Sequence, residues 1–322
     1  DGIVFRAGSS LITTNKREFI TDLDLLPRPA WHLLPDLAKT YCPPVHTVKH
    51  LPATYLVTSR GCKGKCTFCD RSVFGDVIRA NSAEYVLQVM EELHYNFGIN
   101  GFQFGEDNFL LFRSRLWKLC KLLSESPMNV TWSIAGRVDM VNPKVLEALR
   151  KAGCWQIWFG IESGSQRILD VLQKGTKIEQ IRQAVRWTRE AGISAGGFFI
   201  LGLPTETEED REATIRFSRE LELDGAQFCL FTPLPGAAIY DTASLYGEFD
   251  ADWRKASRFA PVFVPNGTTK KRLMRDWKRA SIGFYFRPKV IWWFVKMTRS
   301  PRHIGVYISG LMALIEATLF KK

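Results

Sequence analysis

An α/β fold built on a parallel sheet is predicted by three features of the sequence. Six short apolar runs recur between residues 54 and 232. A stretch of helical period separates each run from the next, as expected when every strand returns through a helix. Residues that start and stop helices stand at several of the junctions. Together these describe a parallel βα array with both faces of the sheet covered.

The strands are expected at 54–58, 101–104, 130–134, 156–160, 195–201 and 226–231, and the helices near 82–96, 113–125, 143–152, 165–191 in two pieces, and 207–223. Asn142-Pro143 reads as an N-cap followed by proline at the first helical position. Thr205 and Glu208 have the spacing of a capping box. Gly153 and Gly192 follow Arg-Lys-Ala and Arg-Glu-Ala, where a left-handed residue would end a helix. Periodicity alone does not separate a doubly wound sheet from an incomplete barrel. In both, chemistry belongs at the C-terminal ends of the strands.

The flanks read differently. Residues 1–50 lack a clear period and hold Leu26-Pro27-Arg28-Pro29-Ala30-Trp31 and Cys42-Pro43-Pro44, proline densities that oppose helix and central strand. They are expected to form a linker that follows a missing upstream domain, with Trp31, Leu33 and Leu34 docked on the core. The first residue is Asp1, without initiator methionine or leader pattern, so the chain reads as a piece of a longer protein. After residue 250 the period is helical to the end. Between 268 and 286, Leu273, Trp277, Ala280, Ser281 and Phe284 share one face, flanked by Lys270, Lys271, Arg275, Lys278 and Arg279. The division is therefore linker 1–50, core 51–240, and a basic, aromatic-rich helical region 241–322.

Of the 322 residues, 46% are apolar and 24% charged, values that exclude a disordered chain. The net charge of +11 is unevenly placed: residues 251–322 carry 16 basic against 3 acidic residues, and the remainder is close to neutral. Phe284, Tyr285, Phe286, Trp292, Trp293 and Phe294 lie among those basic residues, a composition suited to peripheral membrane contact through 268–322. The apolar stretch 304–320 is only 17 residues long and contains Glu316, marginal for crossing a bilayer. Solvated charges over a covered lower barrel face, or a dimer contact, are the plainer explanation, and nucleic acid is the least favoured partner.

Seven cysteines stand at 42, 62, 66, 69, 120, 154 and 229. One tight cluster within an odd total argues for metal ligation in a reducing, cytoplasmic compartment and against a disulfide framework. Cys62, Cys66 and Cys69 follow the first strand in a glycine-bearing loop, where Arg60, Lys63 and Lys65 would offset part of the thiolate charge. Three thiolates suit three irons of a cubane and leave the fourth iron open to a cofactor. A structural zinc site completed by Cys42, His46 or His50 is the alternative, and incidental cysteines a third. Cys154 and Cys229 read as core residues. Trp158 and Tyr240 read as core or rim residues near the barrel mouth.

The C-x3-C-x2-C run, with Phe68 before its last cysteine, resembles the signature of the radical S-adenosylmethionine (SAM) superfamily. Gly105-Glu106-Asp107-Asn108 after the second strand resembles the acidic motif that contacts the methionine amino group. Arg137 closes the third strand, where the resemblance implies a partner for the methionine carboxylate; a solvated loop arginine is the alternative. Gly160-Ile161-Glu162-Ser163-Gly164 resembles the ribose-contacting segment, with neutralisation of a nearby lysine or arginine the lesser alternative for Glu162. Gly197 to Gly202, with Glu206 beyond, resembles the fifth-strand motif near adenine, where simple packing relief is the alternative for both glycines. Pro233, in Thr232-Pro233-Leu234-Pro235-Gly236, matches a sixth-strand ending common in the cobalamin-dependent branch.

The resemblance covers about 54–236 and implies a partial (β/α)6 TIM-like barrel with a helical C-terminal extension. It implies a [4Fe-4S] cluster on Cys62, Cys66 and Cys69 and SAM cleaved reductively to a 5′-deoxyadenosyl radical. The electron donor would be a protein such as a flavodoxin or ferredoxin. A small, apolar or lipid-like substrate follows not from the resemblance but from the membrane-surface reading of the basic, aromatic tail. Residues 20–31 resemble the linker of the anaerobic magnesium-protoporphyrin monomethyl ester cyclase-like group, which implies cobalamin bound mainly by a domain absent here; this chain has no D-x-H-x-x-G cobalamin motif. Methylation and cyclisation are the outcomes that branch implies. A methylthiotransferase-like enzyme acting on transfer RNA and a non-enzymatic zinc-stabilised module are the competing functions.

Overall fold

Where β-branched and aromatic runs are bounded by glycine and helix caps, the chain pairs into one sheet. The computed structural model describes residues 1–298 except Cys42, Arg258 and Phe259, so the apolar stretch 304–320 lies outside the described residues. The six strands are β1 (Ala53–Leu56), β2 (Gly101–Phe104), β3 (Thr131–Gly136), β4 (Cys154–Glu162), β5 (Ser194–Leu201) and β6 (Gly225–Leu230). They pair in sequential order, every pair parallel. A doubly wound sheet reverses direction at a switch point, and this one does not. Right-handed crossovers that always step the same way put their helices on one face, so the sheet curls into an open half-barrel.

The outer helices are α1 (Ala83–Phe97), α2 (Arg113–Glu125), α3 (Pro143–Lys151), α4 (Gln166–Val171), α5 (Ile178–Glu190) and α6 (Glu208–Glu220). Between them and the sheet Phe102, Phe104, Trp132, Phe159 and Phe199 are fully buried. Asn142 caps α3 through Val145 N, with Pro143 at the first helical position. Gly153 and Gly192 take φ 92° and 72°. The capping box before α6 differs from the expected one. Thr207 and Asp210 form it, because Leu203 O accepts from Glu206 N across a tight turn that holds Thr205 at φ 64° and delays the helix.

The inner face is plugged from below by the turn Val45–Thr47. Ser133 Oγ donates to Thr47 O (2.7 Å), Thr47 Oγ1 donates to Gln103 Oε1 (2.5 Å), and the His46 ring meets Trp158 edge-on at 5.9 Å. Trp158 lies over Gly196 and Gly225, where an added Cβ would come within 2.5 and 2.9 Å of its ring. The large side chain thus fills the β5–β6 side of the inner face.

Both flanks hold more structure than expected. Val4–Ala7 pairs with Ser10–Thr13 in a hairpin whose strand residues are all exposed. Trp31 is buried as expected, but the 3-10 turn that turns it inward points Leu33 and Leu34 outward, 74% and 39% exposed. Asp24 of the same segment accepts from Ser82 N and Asn81 Nδ2 at the start of α1. Past residue 240 the chain is not helical throughout. Gly247–Phe249 pairs with Phe263–Pro265, and Pro261, Pro265 and Gly267 break any helix before α7 (Lys270–Tyr285). Helix α8 (Pro288–Met297) follows, with Pro288 at its first position.

The expected face of α7 is buried at Leu273, Trp277, Ala280, Ser281 and Phe284. It covers the free edge of β6: Trp277 Nε1 donates to Phe228 O (2.8 Å) and Tyr285 Oη to Ala226 O (2.6 Å). An edge strand would otherwise present those carbonyls unpaired. The charges of α7 meet acids of the preceding region, Arg272 pairing with Glu208, Arg279 with Glu212, and buried Arg211 with Asp276. Residues 201–250 carry 11 acidic against 3 basic residues, and two of the arginines of α7 are answered by them at the surface.

Candidate active site

The loop after β1 is shaped by its glycines. Gly61 (φ 83°) runs so close to Val77 O that a Cβ would sit 2.7 Å away, and Ser59–Arg60 pairs with Arg79–Ala80 to close the loop base. Thr67 then strings the loop across the barrel mouth. Its N–H donates to Leu172 O (2.9 Å) and its carbonyl accepts from Ile239 N (3.1 Å). Gly236 (φ 90°) packs against Asp70 and Ser72 from the far side. Phe68 is held among Ile168, Leu172, Leu203, Phe231 and Ile239, an apolar cluster on top of the barrel.

Within this frame the thiols converge. A Cβ on Gly64 would lie 3.4 Å from Cys62 Sγ, 3.7 Å from Cys66 Sγ and 3.9 Å from Arg137 Nη1. Arg137 approaches Cys66 Sγ at 3.8 Å and is itself fixed by Asp139 (2.8 and 3.0 Å) and by Lys174 O (2.7 Å). The Cys69 thiol is pushed up to about 11, first by desolvation, then by Cys66, Cys62 and Asp107, with Lys174 opposing. Among the described residues no three His, Cys, Asp or Glu side chains are grouped to share a single metal ion. His46, a zinc-ligand alternative, sits against Trp158 on the lumen floor. Soft thiolates beside Arg137 and Lys174 fit an anionic iron-sulfur cluster, with one iron per sulfur.

The two acids after β2 separate. Glu106 is buried and spent: it accepts from Thr58 N (2.9 Å), Thr58 Oγ1 and Ser59 Oγ (2.6 Å), and lies 3.6 Å from Arg115. It ties the ends of β1 and β2 together. Asp107 is exposed beside Cys69, with no hydrogen-bond partner among the described residues. Gly105, also exposed, would carry a Cβ 3.5 Å from Tyr55 and 3.8 Å from Val57.

Glu162 stands at a register shift of β4 with φ 65°, and bulges re-aim side chains in this way. Its Oε1 accepts from Lys174 Nζ at 2.7 Å, both side chains being over nine-tenths buried. Gly160 makes room for the pair, since a Cβ there would lie 2.6 Å from the carboxylate and 2.8 Å from the ammonium. The Lys174 ammonium also lies 5.8 Å from the Phe68 ring centroid. Sequence reading missed Lys174. The available signal was a lysine directly before Gly175, shortly behind the segment containing Glu162.

Other expected residues lie elsewhere. Ser163 is buried against α6, its Oγ 3.0 Å from Thr214 Oγ1. Gly197 faces the helix layer, where a Cβ would strike Ile161 and Leu223 at 2.8 and 2.9 Å, so packing relief accounts for it. Gly202 (φ 78°) donates to Glu206 Oε2 (2.6 Å) and lets Leu273 of α7 approach. Burial pushes Glu206 up to about 8, and its Oε1 has no partner among the described residues. Pro233 is buried just past β6. The mouth is thus built by Cys62, Cys66, Phe68, Cys69, Asp107, Arg137, Glu162 and Lys174.

A sequence profile described as the radical SAM superfamily matches residues 56–218, half of the chain. The chain belongs to the radical SAM superfamily. An uncharacterized methyltransferase of Pyrococcus horikoshii is 34% identical over 292 residues, covering 90% of this chain and 62% of that protein. The anaerobic magnesium-protoporphyrin IX monomethyl ester cyclase of Rubrivivax gelatinosus is 27% identical over 286 residues, covering 87% and 50%. The cobalamin-dependent SAM radical enzyme OxsB, solved with aqua-cobalamin and SAM bound, shares the fold with a TM-score of 0.58 at 17% identity, over 83% of this chain and 46% of that one. The chain therefore spans between half and about three-fifths of the length of those two sequence relatives. As a radical SAM enzyme it is a catalyst, which removes the non-enzymatic zinc module.

Proposed function

We propose that Cys62, Cys66 and Cys69 hold a [4Fe-4S] cluster at which SAM is reductively cleaved to modify an unactivated carbon of a small apolar metabolite. The observation that carries this is the convergence of Cys62, Cys66 and Arg137 over Gly64, with the Asp107 carboxylate, unpaired among the described residues, near Cys69. When bound, the cluster supplies the electron that breaks the sulfonium carbon–sulfur bond. The chain's own groups do the positioning. Asp107 binds the methionine ammonium, a charge-assisted pair. Arg137 and Lys174 place positive charge where the methionine carboxylate and the cluster need it. Glu162, anchored by Lys174 through one oxygen, keeps the other for the ribose hydroxyls.

The inner face presents Tyr55 and Val57, 47% and 60% exposed, with partly exposed Phe198 across the lumen. An apolar substrate would bury that surface. Cobalamin, contributed from outside this chain, makes methylation or oxidative cyclisation the outcome. Support comes from the linker resemblance at 20–31 and from relatives named as a methyltransferase and a cyclase. The transfer-RNA reading expected a small β-barrel, whereas the described part of 241–298 holds one hairpin and two helices, α7 with several arginines paired to protein acids.

Anaerobic reconstitution tests the proposal. The protein should take up about four irons per chain, as three thiolates and one open site imply, and should release 5′-deoxyadenosine under reduction. Cys69→Ala should lose iron and cleavage together. Full cleavage by a zinc-only preparation would overturn the cluster assignment.

A further inference from the structure

Helix α8 spends one face on the protein and leaves another, equally apolar, in water. Val290 is buried, Trp293 stacks on Trp155 with centroids 6.5 Å apart, and Phe294 meets Tyr285 at 6.0 Å. On the opposite side Ile291, Trp292 and Val295 are 47%, 59% and 54% exposed. At about 100° per residue these three fall in one arc, with Lys296 and Lys289 along its border. The Lys296 ammonium lies 5.5 Å from the centroid of the Trp292 ring.

Charge indicates what covers that face. The arginines of α7 are matched by protein acids, but from Arg287 to the C-terminus seven basic residues stand against Glu316 alone. Lys289 has Glu222 as partner at 2.9 Å, and Arg287 donates to Arg219 O and Leu223 O. Lys296 makes no ion pair to an acid among the described residues, so its ammonium is available to an external anion, and four more basic residues follow it in the sequence. An apolar stripe bordered by lysine is how an interfacial helix sits, its rings among acyl chains and its ammonium groups at the headgroups.

We infer that the exposed face of α8 is a docking surface for anionic lipid, formed by Ile291, Trp292 and Val295 with Lys296 at its edge. The surface lies at the foot of the barrel: Trp155 is the second residue of β4 and Glu162 its last, about 23 Å apart at the usual rise per residue. Docking therefore leaves the mouth facing water, and the inference does not rest on any cofactor assignment.

The test is partition of the full chain onto vesicles of phosphatidylglycerol mixed with phosphatidylcholine, and onto phosphatidylcholine alone, at low and high salt. The wild type should bind the anionic vesicles at low salt and lose most of that binding at high salt. Trp292→Asp and Ile291→Asp should each weaken partition about tenfold or more, and Lys296→Glu severalfold, with thermal stability unchanged. Equal binding by wild type and Trp292→Asp would overturn the inference, as would wild-type binding to phosphatidylcholine alone at the same strength. So would a fall in the melting temperature of Trp292→Asp without vesicle binding by the wild type, since the face would then be covered by protein.

Discussion

Adjacent acids after one strand have opposite fates because side chains on successive residues point opposite ways. Glu106 turns in and binds Thr58 and Ser59, while Asp107 turns out to the mouth. Asp107→Ala should lower SAM affinity about ten- to a hundredfold, the worth of a hydrogen bond to a charged group, and keep about four irons per chain. Glu106→Ala should instead lower the melting temperature, because it leaves Arg115 buried without its carboxylate. Lys174→Met should weaken SAM binding although Lys174 is not an iron ligand, as it strands the Glu162 carboxylate and removes positive charge beside Cys69. Calorimetric titration of SAM into reconstituted variants, with iron assayed in parallel, separates these roles. Unchanged affinity in both Asp107→Ala and Lys174→Met would sink the assignment.

Among elements, the β5–α6 turn and α7 behave as one unit. Gly202 N–H donates to Glu206, whose neighbour Arg211 reaches Asp276 of α7. Burial pushes the folded Glu206 carboxyl up to about 8, against about 4.5 for an ordinary glutamate. The native state thus retains a proton that the unfolded chain has already lost above about pH 4.5. That contribution to stability is full at and below pH 4.5 and is lost as pH rises toward 8. Glu206→Gln should therefore flatten the decline of melting temperature between pH 5 and pH 8. A decline as steep as that of the wild type would refute a protonated Glu206. The α7 cover is open to the same kind of test. Trp277→Phe leaves Phe228 O without its donor, and chemical denaturation should show a loss of about 1–3 kcal/mol. The motifs at the ends of the first, second and fourth strands were legible because cysteines, acids and glycines cluster there. Lys174 was not, because its role depends on the bulge that turns Glu162 toward it.

For the molecule as a whole, the lumen's open side and the docking face of α8 lie at opposite ends of the strands. A lipid-like substrate would have to travel to the mouth, and surface binding and SAM cleavage should vary independently. Cleavage without substrate by Trp292→Asp should equal that of the wild type within error, measured as 5′-deoxyadenosine formed under the same reductant. Local patterning determined six strands in order, the outer helices and the three-cysteine loop, because period, caps and ligand spacing are properties of neighbouring residues. Period left the strand order open and the family resemblance implied a barrel; only the tertiary structure decided that α7 closes the β6 edge and that arginines of α7 answer the acids of α6. It also separated Asp107 from Glu106 and brought Lys174 to Glu162. These depend on which distant segments meet, and packing across the sheet sets such meetings, not composition along the chain.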